Sequence, residues 1–318
     1  MRITSSMLMN NFMSNLQNNL RRMEKYQNRL STGKNFTRPS DDPVAVTRSL
    51  QTRTDISKTE QYLRNIQDGL TWLEQSETTL MEVNDIIARA YELAVDAANG
   101  TKTPEDRRII ADEMLQLQQQ LVRAANASFN GRYLFGGHNT STIPFEISGS
   151  EGAYTLTYNG MDMKTLTDPA NADWLNAAKA ENLSYEMGFG IQMAVSFTGI
   201  DLFGAGDDNL FEVFNQLNAA LLNGSDQDTL NESVGKLQRE QNRILALLGE
   251  VGGKHNRLTM MEKRYDKDIY NFKAVQSKIE DADYAKSVTD FKMAEIVYQS
   301  ALASAAKILQ PTLIDFLR

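Results

Sequence analysis

The stretch ISKTEQYLRNIQDGLTWLEQSETTLMEVNDIIARAYELA, Ile56 to Ala94, sets Ile56, Leu63, Ile66, Leu70, Leu73, Leu80, Ile87, Tyr91 and Ala94 on a stripe whose steps alternate between three and four residues. Thr59, Glu77 and Asn84 fill the remaining steps of the same stripe. A helix brings such positions to one side, where they form the seam along which two helices interlock, and polar residues in a seam trade stability for register. Only six prolines occur, at 39, 43, 104, 144, 169 and 311, so 44–103 and 170–310 are free to be long helices.

Outward from this stretch, the same repeat recurs on both sides. Towards the N-terminus it runs through Met9, Met13, Leu16, Leu20, Met23 and Leu30, with Gln27 as a polar interruption. Beyond it, Thr103 and Asp106 make a capping box with Pro104 in the first helical position, opening a helix that buries Ile110, Met114, Leu117 and Leu121. A short helix is expected from Phe211 to Leu222, and a long one from about Thr229 with Val234, Leu237, Ile244, Leu248, Val251, Leu258, Tyr265, Ile269, Phe272 and Ile279 on its seam. Gly249, Gly252 and Gly253 are candidates for a bend in it. The last segment continues with Val288, Phe291, Tyr298, Leu302, Ala305 and Leu309, then Leu313 and Phe316 after Pro311.

Between the helical flanks the chain changes character. Of the 19 glycines, 11 fall from Gly131 to Gly206, where AYTLTYNG alternates so that Tyr154, Leu156 and Tyr158 share one face of a strand. The fold class is therefore mainly α with a β-rich insert: a long antiparallel helical rod, terminal coiled-coil helices and a central β domain. The expected division is 1–43 with 285–318 as a terminal coiled-coil assembly domain, 44–131 with 211–284 as the helical rod, and 132–210 as the β-rich outer domain.

Composition narrows the function. With 41 acidic and 33 basic residues the formal net charge is −8, the wrong sign for a general nucleic-acid binder. The chain has no cysteine, which removes disulfides, thiolate metal sites and a cysteine nucleophile. No run approaches the roughly 18 to 20 apolar residues that span a bilayer, so no membrane insertion is expected. The polar N-terminal MRITSSMLMNNFMSNLQNNL is no Sec-type signal, and export would need a route that reads an amphipathic N-terminus.

Chemistry finds little purchase. There are two histidines, His138 and His255; the second falls on the seam of the long helix and reads as a packed or hydrogen-bonded histidine, the first as exposed. Asp41 with Asp42 suits a helix start before Pro43 and Val44. Asp207 with Asp208, in GAGDDN, lacks the spaced oxygen ligands and distal glutamate of a calcium loop, and the EDAD run from Glu280 to Asp283 has a structural alternative too. YLFGG does not open a helix in a phosphate-cradling pattern. No catalytic residue, metal or cofactor is expected, and the chain reads as a structural subunit rather than an enzyme, with protein partners. An isolated helix is marginal in water below roughly 12 to 15 residues and gains most of its stability from packing. The thin, methionine- and alanine-rich ends, interrupted by Gln27 and Glu295, are thus expected to be disordered or loosely paired until neighbours bury them.

Three motifs then point to a family. NRLSTGKNFTRPSDDPVAV (Asn28 to Val46) resembles the signature of bacterial flagellins, in which a helix ends at Ser/Thr-Gly-Lys and a loop leads through Ser-Asp-Asp-Pro into the next helix. ELAVDAANGTKTPEDRR and ANASFNGR, between Glu92 and Arg132, resemble the flagellin core helices and their exit into the variable domain, and IEDADYAKSVTDF (Ile279 to Phe291) resembles the return into the terminal helix. FNGRYLFGG, DLFGAGDDNLFEVFNQLNAALLNG and the closing QPTLIDFLR are more similar to the hook-associated branch of the family, at the hook–filament junction, than to filament subunits, which remain the alternative.

The resemblance implies export through the flagellar type III pathway to the extracellular flagellum. It implies as partners other copies of the chain in a tubular lattice, the first hook-associated protein, flagellin and an export chaperone that guards the C-terminal helix. Leu16, Leu20, Met23, Leu30, Phe291, Glu295, Tyr298, Leu302 and Leu309 are the expected assembly contacts, with Glu295 either paired to Arg21 or Arg22 or left as a surface glutamate. Arg89, Leu93 and Glu113 stand where flagellins present a surface to an animal innate-immune receptor, although ordinary helical surface chemistry accounts for them without one.

Overall fold

The structure, a computed structural model, describes residues 5–99, 102–150, 153–223 and 227–308. Leu309, Pro311, Leu313 and Phe316 lie outside the described residues. In chain order the elements are helices α1 (Ser5–Thr32), α2 (Pro43–Ala98) and α3 (Pro104–Ala125), then strands β1 (Ser128–Phe129), β2 (Arg132–Tyr133), β3 (Phe145–Ser150), β4 (Ala153–Tyr158) and β5 (Met161–Asp162). Helix α4 (Ala172–Ala180), strands β6 (Ser184–Gly188) and β7 (Ile191–Ala194), and helices α5 (Gly199–Phe203), α6 (Leu210–Leu222), α7 (Gln227–Glu280) and α8 (Tyr284–Ile308) follow. The fold is thus mainly α with long helices and an insert of small antiparallel sheets, and no helix among the described residues is long and apolar enough to cross a membrane.

Local chemistry explains the boundaries. At α3, Thr103 and Asp106 form the reciprocal capping box with Pro104 at the start. At α2 the two acids divide the work: Asp41 Oδ2 accepts from the backbone N–H of Thr37 and Arg38 in the turn, while Asp42 Oδ1 accepts from Ala45 N–H at the helix start. Asn209 caps α6 by accepting from Glu212 N–H. Helix α7 runs unbroken through Gly249, Gly252 and Gly253.

Two compact units divide the chain: one holds the two ends, up to Thr59 and from Lys267, and the other spans Glu60–Asp266. In the second unit, Ile66, Leu73, Leu80 and Ile87 of α2 join Leu237, Ile244, Val251 and Leu258 of α7 in one core, all fully buried. The pairing is antiparallel, since Tyr62 meets Tyr265 (ring centroids 6.1 Å apart), Gln67 donates to Glu262 (3.2 Å) and Glu74 faces His255 (3.6 Å). His255 is therefore half-buried at the rim of the seam, and His138 is exposed.

The insert folds as separate sheets, β1–β2, β3–β4–β5 and β6–β7, each antiparallel. Leu156 and Tyr158 of β4 are buried and Tyr154 half-buried on their shared face. Tyr158 donates to Phe135 O (3.1 Å) and accepts from Gly199 N–H (3.2 Å), and burial pushes its phenol up to about 12. Gly199 is required there: a Cβ would sit 2.4 Å from both the Phe145 and Tyr158 rings. Asp207 and Asp208 are spent on Lys164 (3.8 Å) and Lys236 (3.0 Å).

Candidate assembly interface

In the unit that holds the chain ends, α1 packs against α8. Burial on α1 follows Phe12, Leu16, Asn19, Met23, Tyr26 and Leu30; on α8 it follows Ser287, Phe291, Ala294, Tyr298, Ala301 and Ala305. Both follow the three-four spacing of a heptad seam. The ends are thus paired helices in the structure, and Leu16, Met23, Leu30, Phe291 and Tyr298 lie half-buried in the pairing.

The other half of the expected seam falls one residue away. Phe12, Asn19 and Tyr26 take the places expected for Met13, Leu20 and Gln27, and Ser287 and Ala301 those expected for Val288 and Leu302, while Ala294 and Glu295 are both half-buried. Met13 (46 %), Leu20 (39 %), Val288 and Leu302 (43 %) are left exposed in consequence. Ile296, two residues past Ala294 and two before Tyr298, points to the opposite side of α8 and is 61 % exposed, beside exposed Met293 and Val297. α8 is therefore apolar well beyond the face that α1 covers, a pattern that water disfavours and a further packed partner satisfies. Glu295 pairs with Lys292 (2.9 Å), one turn back on its own helix, rather than with Arg21 or Arg22.

The two ends are fastened by a polar node that the sequence did not announce. Glu280, at the end of α7 and 2 % exposed, accepts Arg53 Nε and Nη2 (both 2.8 Å), Ser49 Oγ (2.5 Å), Gln276 Nε2 (3.0 Å) and Lys34 Nζ (3.2 Å). The fork of Arg53 and the other donors hold its carboxyl far below the usual carboxylate range. Backbone bonds close the same corner: Asn35 N–H donates to Glu280 O (2.7 Å) and Ala282 N–H to Gly33 O (2.8 Å). Gly33, with φ 68°, supplies the left-handed turn that ends α1. Lys34 also bonds Asp281 (2.6 Å), and Asp283 caps α8 through Lys286 N–H (3.0 Å). The EDAD run is structural joinery, with Ala282 between a clamp and a cap.

Elsewhere, Arg89 bonds Glu113 (2.9 Å) across to α3 and Glu92 (3.2 Å) on its own helix, and Leu93 is buried. These three residues are accounted for by contacts within the chain.

Long paired helices with apolar surface left over at the ends define a helical structural subunit. Residues 3–140 match the bacterial flagellin N-terminal helical region and residues 234–317 the bacterial flagellin C-terminal helical region. These matches together take in more than half of the chain, which belongs to the bacterial flagellin family. It is similar to flagellin FlaB2 of Treponema pallidum, 27 % identical over 291 residues covering 91 % of this chain and 90 % of that one. It is also similar to flagellar hook-associated protein 3 of Escherichia coli, 24 % identical over 324 residues and 95 % of both chains. The fold is that of flagellar hook-associated protein-3 from Legionella pneumophila, with TM-score 0.59 and 15 % identity over 72 % of this chain and 98 % of that one.

Proposed function

We propose that the chain is the junction subunit of the bacterial flagellum, joining the hook, through the first hook-associated protein, to the filament, with no enzymatic role. The observation that carries this reading is the alignment to the hook-associated protein of Escherichia coli over 95 % of both chains, which takes in the insert between the two flagellin regions. The hook-associated character of FNGRYLFGG and of the stretch from Asp201 to Gly224 supports it from the sequence side. A filament subunit is the second reading, favoured by the similarity to flagellin FlaB2 over 91 % of the chain.

In this reading residues 1–43 with 285–318 form the assembly domain, 44–131 with 211–284 the rod and 132–210 the outer domain. Leu16, Met23, Leu30, Phe291 and Tyr298 hold the terminal pair together. Leu20, Leu302, Leu309 and the rim around Glu295 meet neighbouring copies. Each apolar side chain so buried contributes roughly 1.5 to 3 kcal/mol against the cost of ordering it. The chain leaves the cell by flagellar type III export, escorted by a chaperone on its last helix, and works outside as a tubular layer of copies between the first hook-associated protein and flagellin.

Deleting the gene in a flagellated host and viewing the cells by electron microscopy tests the proposal. Hooks without filaments, with flagellin released to the medium, is the expected result. Filaments of normal number and length would refute the junction role, and loss of flagellin itself would establish the filament reading.

A further inference from the structure

Charge is divided unevenly along this acidic chain. From Arg21 to Arg38 stand six basic residues against one acid, Glu24. From Asp68 to Asp96, by contrast, α2 carries seven acids and a single base, Arg89. Arg21, Lys25 and Arg29 on α1, with Lys34 and Arg38 from the following loop, line one groove of about 270 Å³, whose own carboxylates are Glu24 and Asp41.

Part of this charge is spent inside the chain. Lys34 is bound to Glu280 and Asp281, Arg29 donates to Asn35 O and lies over the Tyr26 ring, and Asp41 is engaged by the Thr37 and Arg38 backbone. Among the described residues the side chains of Arg21, Lys25 and Arg38 have no ion-pair partner, and Glu24 and Asp41 are the acids beside them in the groove. All three are exposed. On α2, Glu82 and Asp85 are likewise exposed without an ion-pair partner among the described residues, beside exposed Met81.

We propose that the groove of Arg21, Lys25 and Arg38 receives the Glu82–Asp85 face of α2 from an adjoining copy of this chain, in head-to-tail order. The spacings agree: Arg21 and Lys25 are four residues apart on one helix and Glu82 and Asp85 three apart on another, each pair about 5 to 6 Å between Cβ atoms. A second copy is the occupant because every copy carries both halves of the match, and a heterologous contact repeated from copy to copy closes a ring or extends a helix. Complementary charge of this kind sets register and partner choice more than bulk affinity. The inference rests on reading the chain as a self-assembling flagellar subunit.

The absence of cysteine makes the test clean. Two differently tagged copies, one Lys25→Cys and the other Asp85→Cys, are produced together in a flagellated host, and isolated flagella are treated with a short bismaleimide. A direct disulfide needs Cα atoms within about 7 Å, closer than a lysine and a carboxylate stand, so a linker is the right probe. The contact predicts a mixed-tag dimer at least tenfold above that from Lys25→Cys with Asp112→Cys, and incorporation of Lys25→Glu reduced severalfold but restored when Asp85→Lys is added to the same chain. A dimer yield no higher than the control, in flagella that contain both tagged copies, would overturn the contact alone; absence of the chain from flagella would overturn the contact and the self-assembly reading together.

Discussion

The two units of the chain treat their apolar residues in opposite ways. Between Glu60 and Asp266, Phe135, Phe145, Phe203, Phe211 and Phe214 are all within 2 % of complete burial, packed with Leu and Ile from α2, α3 and α7. In the unit of the chain ends no described residue of α1 is fully buried, and its aromatic residues Phe12 and Tyr26, like Phe291 and Tyr298 of α8, are only half covered. The first pattern is a finished core. The second is a seam with apolar side chains to spare, which in the proposed assembly neighbouring copies cover.

Substitutions sharpen this contrast in a graded way. Phe214→Ala strikes the finished core, and its loss of contacts and the cavity left behind should cost about 3 to 5 kcal/mol, read as a large fall in the urea midpoint of the full chain. Gly199→Ala forces a methyl against the Phe145 and Tyr158 rings and should cost about 1 to 3 kcal/mol by overpacking, with a change in near-ultraviolet circular dichroism from the displaced rings.

Glu280→Gln tests the node of the terminal unit. It weakens the bonds to Arg53 and Lys34 and should cost about 1 to 3 kcal/mol in that unit, seen as faster hydrogen exchange around Ser49 and Asn35. The pH dependence has a definite sign. Glu280 is held below its ordinary value of 4.5 in the folded chain, so its contribution is complete above that value and is lost as the pH falls below it. The native chain should therefore lose more stability than Glu280→Gln on going from neutral to acidic pH, and equal losses would show that the node does no such work. Ile296→Ser, on the exposed side of α8, should leave the monomer within about 0.5 kcal/mol of the native chain.

Much of this was legible in the sequence, for reasons that also explain the rest. Along α2 and α7 every apolar position of the expected seam is buried or half-buried, from Ile56 to Ala94 and from Val234 to Ile279, because a wide apolar face meets a partner of equal width. Along α1 and α8 burial matches the heptad positions at Leu16, Met23, Leu30, Phe291, Tyr298 and Ala305 and falls one residue away at most positions between them. Periodicity prefers Leu20 to Asn19 and Leu302 to Ala301, since it ranks hydrophobicity. The pairing half-buries Asn19 and Ala301 instead and leaves the better hydrophobes outside. The Glu280 node was out of reach of any local pattern, since its bond to Arg53 joins residues 227 positions apart. Helix α4 within the insert, nine residues without a capping side chain, gave no start signal to read.

In the proposed function the surplus apolar surface of the ends belongs to assembly and not to the fold of the single chain. Electron microscopy of a flagellated host carrying Ile296→Ser with Leu302→Ser, alongside the unfolding midpoint of the purified double variant, separates the two roles. Filaments lost while the midpoint stays within error of the native chain is the predicted result. Normal filaments on cells that export the variant would show that this surface plays no part in assembly.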